Sequence, residues 1–216
     1  LLRARAPRVL DWLPWNHGFN ESHEFNMMLA NGGGFYIDDG LSTPGGFARG
    51  LENLGVQPGS LSFNVPTGFA MLMRELRRND ALKRRHFAEL DLILNAGAAL
   101  AQEVWEALED FAMQIRGSAP LMRSSRGVTE AAPAALLAHA PMGCVAVVGV
   151  PAPGAARPAP ARVMRAEDAA GTLAALDDEE FLIAGDVVRF ADGGDLFRGL
   201  MFGRRIFEDF KLMTGT

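Results

Sequence analysis

The sequence predicts an α/β domain built on a mostly parallel sheet, and three observations carry that prediction. Short apolar or alternating runs recur at Arg8 to Trp15, Phe35 to Ile37, Leu61 to Val65 and Leu90 to Leu94. Stretches with apolar residues at the helical period of about 3.6 stand between and after them. Proline, glycine, asparagine or aspartate closes each run. Strands alternating with helices imply crossover connections, which is how parallel sheets are made.

Each element has its own signal. Residues 8–15 (Arg-Val-Leu-Asp-Trp-Leu-Pro-Trp) read as a buried strand stopped by Pro14. Residues 16–24, from Asn16 to Glu24, form a polar loop with a glycine. Phe25 to Ala30 reads as helix with Phe25, Met28 and Leu29 on one face, and Asn31-Gly32-Gly33-Gly34 ends it. Phe35-Tyr36-Ile37 is a strand before an Asp38-Asp39-Gly40 turn, and residues 61–65 are a third strand closed by Pro66. Phe69, Leu72, Met73 and Leu76 make a helical stripe that leaves Arg74, Arg77 and Arg78 to solvent. Residues 90–94 are a strand running into Asn95-Ala96-Gly97-Ala98-Ala99, and Leu100, Val104, Leu108, Phe111 and Ile115 mark the helix that follows. Ligands of such sheets gather at loops after the strands' carboxyl ends, and the loops starting at His17, Gly97 and Arg123 are of that kind.

From Cys144 the texture turns mostly β. Cys144 to Val148, Phe181 to Ile183, Val187 to Phe190 and Leu200 to Phe202 read as strands. The proline-alanine run Pro151 to Pro160 reads as a loop, and Thr172 to Leu176 as a short helix or strand. The expected organisation is an α/β lobe over residues 1–142, a reduced β-rich lobe over 143–202, and a hinge at 203–216.

Composition narrows the function classes. Hydrophobic residues at 49% and charged residues at 22% describe an ordinary globular protein with room for a real core in 216 residues. A net charge of −5 argues against a nucleic-acid partner. The single cysteine, Cys144, excludes an internal disulfide and fits a reducing, cytoplasmic compartment. No apolar run reaches the length of a bilayer span, so no membrane partner is expected. The sequence opens on Leu1 and closes on Met213-Thr214-Gly215-Thr216 without a natural stop, so a longer parent protein is expected.

The stretch Ser124-Ser125-Arg126-Gly127-Val128-Thr129-Glu130 carries the chemistry. Gly127 lets backbone approach a ligand, Thr129 can bond a phosphate oxygen, and Glu130 is a hard oxygen ligand suited to magnesium. Read alone, it is equally a loop with a helix cap. His17 and His23 with Glu21 and Glu24 can be read as a metal cluster, although no Cys or third histidine joins them.

Taken together with Asp11-Trp-Leu-Pro-Trp-Asn-His17, Gly32-Gly-Gly-Phe-Tyr-Ile-Asp-Asp-Gly40, Asn95-Ala-Gly-Ala-Ala99, Gly185-Asp186 and Arg205-Ile-Phe-Glu-Asp-Phe-Lys211, this stretch completes an ordered set. The chain resembles the adenylate-forming acyl- and aryl-CoA synthetases, and within them the feruloyl-CoA synthetase group. The resemblance implies a partial large domain of that fold. It implies an enzyme, an AMP-forming acid–thiol ligase that joins a hydroxycinnamate-type aromatic acid to ATP and passes the acyl group to coenzyme A, with magnesium as cofactor. By the same resemblance Thr129 contacts the α-phosphate and Glu130 holds magnesium. His17 meets the acid, where on its own residues it can instead be bonded to nearby backbone. Gly97, Ala98 and Ala99 lie against adenine, with Arg126 and Gly127 beside them; Arg126 stands where an aromatic residue commonly stacks on the base. Asp186 and Arg205 reach the ribose, although Asp186 alone reads equally as a turn residue. Lys211 belongs near the thiol-transfer arrangement, and the hinge falls at Phe207 and Glu208.

The departures are specific. The family's glycine-rich phosphate loop and its C-terminal domain have no counterpart between Leu1 and Thr216, and the stretch from Gly154 to Phe181 is short and rich in proline and alanine. The 216-residue chain alone is therefore expected to be nearly inactive. The alternative is a truncated, non-catalytic relative that binds a nucleotide or a partner chain.

Overall fold

The computed structural model describes residues 5–40, 44–126, 136–138, 147–151, 162–164, 181–183, 186–190 and 200–205, with side chains over 5–40 and 45–125. Gly127, Thr129, Glu130, Phe207, Glu208, Lys211, the run 152–160, Thr172 to Leu176 and Gly185 lie outside the described residues.

Five strands run parallel: β1 (Arg8–Asp11), β2 (Gly34–Ile37), β3 (Leu61–Asn64), β4 (Leu92–Asn95) and β5 (Leu121–Arg126). β6 (Leu136–Ala138), β7 (Val147–Pro151), β10 (Asp186–Phe190) and β11 (Leu200–Arg205) extend the sheet by antiparallel pairing. The spatial order is β10-β11-β7-β6-β5-β4-β3-β1-β2, a nine-stranded sheet. β8 (Arg162–Met164) and β9 (Phe181–Ile183) form a separate antiparallel pair. The predicted α/β class with a mostly parallel first part is what the chain forms.

The sheet separates two apolar cores. On one face pack α2 (Pro44–Val56), α3 (Pro66–Arg78), α4 (Asp80–Phe87) and α5 (Gln102–Arg116), with Ile93 and Met122 from the strands. Phe69, Leu72, Met73 and Leu76 are buried as their spacing requires, and Arg74, Arg77 and Arg78 are exposed. Helix α3 starts at Pro66, whose missing N–H is harmless at the first position. Asn79 caps α4 by accepting the Leu82 amide at 2.9 Å. Gly117, at φ 70°, ends α5 in the left-handed conformation. On the other face Val9, Leu13, Phe19, Met28, Leu61, Phe63, Leu94 and Ala96 form the second core. Covering both faces leaves the carboxyl ends of the parallel strands as the open side of the layer.

Several elements differ from expectation. Residues Phe19–Phe25, expected as loop as far as Glu24, form a π-helical segment that continues into α1 (Asn26–Ala30). Leu29, expected on the buried face, is 69% exposed, because α1 has only one full turn and commits Met28 inward. β1 stops at Asp11, since the Asp11 carboxylate accepts the Leu13 amide at 2.9 Å and turns the chain before Pro14. β4 begins at Leu92, β7 spans Val147–Pro151, and β11 runs on to Arg205. Arg123 opens no loop: β5 continues to Arg126, paired with β6 from Ser124 onward. β2 ends the sheet with Tyr36 and Ile37 at 41% and 70% exposure. Among the described residues no helix is long and apolar enough to cross a membrane.

Candidate functional site

The site is assembled at the carboxyl ends of β1 to β5. At the β4 end Asn95 is fully buried, and its amide donates to the Ala98 carbonyl at 2.8 Å and to Ser124 Oγ at 3.2 Å. The first bond holds Gly97-Ala98-Ala99 against its own strand. The second ties that loop to β5, where Asn95 and Ser124 are register partners. Gly97 sits at φ 89°, a conformation that side-chain-bearing residues avoid, so this turn depends on glycine. Asn95 Oδ1 has no partner among the described residues. The expected base-binding loop is thus adjacent to Arg126, the last residue of β5, beyond which Gly127, Thr129 and Glu130 follow in sequence.

Asp186 and Arg205, expected at one ribose, are cross-strand partners in the β10–β11 pair. Partners in antiparallel strands have Cβ atoms about 5 Å apart. Nineteen residues of sequence separation hid that proximity from inspection of the chain.

The β1 end is different in kind. His17 is exposed, its amide donates to the Pro14 carbonyl at 3.1 Å, and its own carbonyl accepts from Asn20 and Glu21 at 3.0 and 3.1 Å. Its Nδ1 accepts the Phe19 amide at 3.1 Å, which assigns the proton of the neutral ring to Nε2. The backbone-bonded reading of His17 and a donor role for its second nitrogen are therefore compatible. β1 and β4 are separated by β3 alone. At a strand spacing of about 4.8 Å their ends lie about 10 Å apart, the scale of an acid joined to a nucleotide.

Beneath His17 lies a group of buried polar side chains that sequence reasoning missed as a unit. Asn20 donates to Asp11 Oδ2 at 2.7 Å and also to the Leu13 carbonyl. Glu24 is fully buried, and neither of its carboxyl oxygens has a partner among the described residues. Burial first, and then the charge of Asp11, raise the Glu24 pKa well above the usual carboxylate value. Burial also raises Asp11 to about 6, against the lowering effect of its bonds from Leu13 and Asn20. Two buried acids side by side resist double ionisation, which holds this end toward its protonated forms. His23 stacks on Phe19 with centroids 6.2 Å apart and meets Phe63 edge-on at 6.2 Å; burial lowers its pKa. A signal was present in the sequence, because Asn20, His23 and Glu24 interrupt a stretch whose apolar members fit no helical period.

No metal cluster forms from His17, Glu21, His23 and Glu24: among the described residues no group of three His, Cys, Asp or Glu side chains is placed to hold an ion. Glu130, the expected magnesium ligand, is outside the described residues, as are Thr129 and Lys211.

No protein-family model matches the chain, and no curated protein does. Solved structures do. An anthranilate CoA ligase in complex with anthranoyl-AMP superposes with a TM-score of 0.67 at 16% identity, covering 93% of this chain and 40% of that one. An amide bond synthetase from Marinactinospora thermotolerans gives 0.64 at 20% identity, over 94% of this chain and 42% of its own. A malonyl-CoA ligase with methylmalonyl-CoA and AMP bound gives 0.62 at 20% identity, over 93% and 44%. The chain spans less than half the length of each. At these identities the likeness is one of fold: the chain has the fold of part of these enzymes.

Proposed function

We propose that this chain is the core of an ATP-dependent acid–CoA ligase whose acid is aromatic and of the hydroxycinnamate type. One observation carries the reading. Asn95 joins the Gly97-Ala98-Ala99 loop to Ser124, so the base-binding motif and the strand leading to Gly127-Val128-Thr129-Glu130 end side by side. A nucleotide with its base on the first would direct its phosphates toward the second.

In the proposed reaction a carboxylate oxygen attacks the α-phosphorus, the bond to pyrophosphate breaks, and an acyl-adenylate forms. A thiol sulfur then attacks the acyl carbon, and AMP leaves with the bonding pair. Attack concentrates charge on phosphate oxygens, where a hydroxyl from Thr129 would donate. Bound magnesium would neutralise part of that charge, with Glu130 as its ligand. His17 Nε2–H would orient the acid, and Asp186 with Arg205 would hold the ribose hydroxyls. Lys211 is assigned to the thiol-transfer stage. Support for an aromatic acid comes from the sequence resemblance alone.

The test is calorimetric titration of the chain with a feruloyl-adenylate analogue, with and without magnesium. Binding strengthened by magnesium is expected; a folded chain that gives no heat would favour the non-catalytic relative. In a longer version bearing the flanking segments, Glu130→Ala should abolish pyrophosphate release, and wild-type release from that variant would sink the assignment.

A further inference from the structure

The π-helical segment Phe19–Phe25 carries into the core a carboxyl group that its surroundings do not satisfy. Glu24 has no exposed surface, and neither of its oxygens finds a hydrogen-bond partner among the described residues. Buried polar groups are nearly always paired, so this one calls for a reason. Protonated, the group tolerates the place far better than ionised, because an ionised carboxylate has no counter-charge there.

Among the described residues no element around Glu24 supplies a cation. β1 contributes Asp11, whose charge acts on Glu24, and Asp38, after β2, stands near Asp11. Arg8, at the other end of β1, is paired with Glu89. α1 and β3 carry no ionisable side chain, and β2 carries only the exposed Tyr36. Within the segment Glu21 is exposed, and His17 stands exposed just before it.

The two halves of the segment are held differently. In the first, Asn20 donates to Asp11 Oδ2 at 2.7 Å and to the Leu13 carbonyl, and Phe19 is buried. In the second, the contacts are ring on ring: His23 meets Phe19 and Phe63, and Phe25 meets Trp15 at 5.4 Å and Phe35 at 5.7 Å. The His23 amide donates to the Gly18 carbonyl at 3.2 Å, the i→i+5 bond of a π-helical turn. Such a turn holds more residues than an α-helical one, so a change to i→i+4 bonding rotates every later side chain about the axis.

We propose that Glu24 is the latch of a proton-operated switch. With its proton on, Glu24 stays in the core and the second half of the segment stays seated on Phe63. With the proton lost, Glu24 moves out to water and carries His23 and Phe25 with it, while Asn20 keeps the first half in place. The change uncovers the Phe63 ring and remakes the surface that begins just after His17. Burial, and then Asp11, raise the Glu24 pKa well above the usual carboxylate range. The closed form is therefore fully favoured below that range and is lost as pH rises through the raised value. Burial lowers the His23 pKa, so His23 opposes the closed form only at the acid end. Asp11 keeps its bonds in both forms and does not drive the change.

The test is fluorine NMR of the full chain labelled with fluorotryptophan. Trp15 reports the switch through Phe25, its signal assigned with Trp15→Phe, and Trp105 in the other core is the internal control. As pH rises from about 5 to about 9, the open-to-closed ratio at Trp15 should grow by up to about tenfold per unit, while Trp105 stays unmoved. Glu24→Gln keeps the shape and has no proton to lose, so it should hold Trp15 in its closed position throughout. Glu24→Met serves the same end if that variant does not fold. A Trp15 signal unmoved in the wild-type chain overturns the proposal. So does a change of equal size in Glu24→Gln, which would belong to His17 or Asp11, and so does a change that Trp105 shares, which would be unfolding of the whole domain.

Discussion

The two ends of the parallel sheet's open side solve opposite problems. At the β4–β5 end one buried amide, Asn95, binds a loop and a neighbouring strand at once. At the β1 end acids are buried under aromatic rings, and Glu24 has no hydrogen-bond partner among the described residues. The first end is held by hydrogen bonds of an uncharged amide, suited to holding a flat ring against backbone. The second is held under electrostatic stress, which a protein tolerates only where other packing fixes it. Here the π-helical segment and its contacts with Phe63 supply that packing. The comparison teaches that the neutral end gives geometry and the acidic end gives chemistry that responds to protonation.

Four measurements sharpen or break this contrast. The largest effect is expected from Asn95→Ala, which removes two hydrogen bonds and leaves the Ala98 carbonyl short of a donor. Chemical denaturation should show a loss of about 3 kcal/mol; a loss below about 1 kcal/mol would mean the loop holds itself. Next comes the pH dependence of the acidic end. Asp11, raised to about 6, makes the native state bind more protons than the unfolded chain between about pH 4 and pH 6. Its contribution is present at low pH and is lost as pH rises, by up to about 3 kcal/mol. His86 runs the other way, because a ring held neutral down to about 4 favours the native state as pH rises from 4 to 6.5. The acidic slope should therefore emerge in a His86→Phe background, as stability falling from pH 4 to pH 6; a flat profile there would remove the stress from the β1 end.

A smaller effect is expected from Glu24→Gln, which removes a buried group that must stay protonated in the fold and ionises when unfolded, without changing shape. Melting temperature should rise at pH 7.5, corresponding to about 1–2 kcal/mol, and stay unchanged at pH 4. Smallest is Gly97→Ala, which forces a side chain into the left-handed region for about 1 kcal/mol. That cost should appear in thermal unfolding with little change in pH dependence, because the substitution adds and removes no titratable group.

Periodicity made the main helices and parallel strands legible. The stripe of Phe69, Leu72, Met73 and Leu76 and the spacing from Val104 to Ile115 each report a buried helical face directly. Helix α2 was invisible because Gly45, Gly46, Gly50 and Gly55 dilute its apolar face and lower its propensity. Helix α4 was hidden because four of its eight residues, Asp80, Lys83, Arg84 and Arg85, are charged, leaving too short an apolar pattern to read. At the site, His17 and Gly97 to Ala99 were legible as residues after strands. Asn95 and Asp11 were not, since local sequence gives no sign that a polar side chain will be buried. Nor does it show that Asp186 will face Arg205, because cross-strand pairing is a property of the sheet and not of either segment.

The exposed outer strand β2 has a consequence for handling. Among the described strands it is the last of the sheet, it carries Tyr36 and Ile37 open to water, and backbone groups on its outer side form a template onto which another chain can add. At high concentration copies are expected to associate edge to edge, and Ile37→Lys, a charge on a strand rim, should restore monodisperse light scattering without moving the melting temperature.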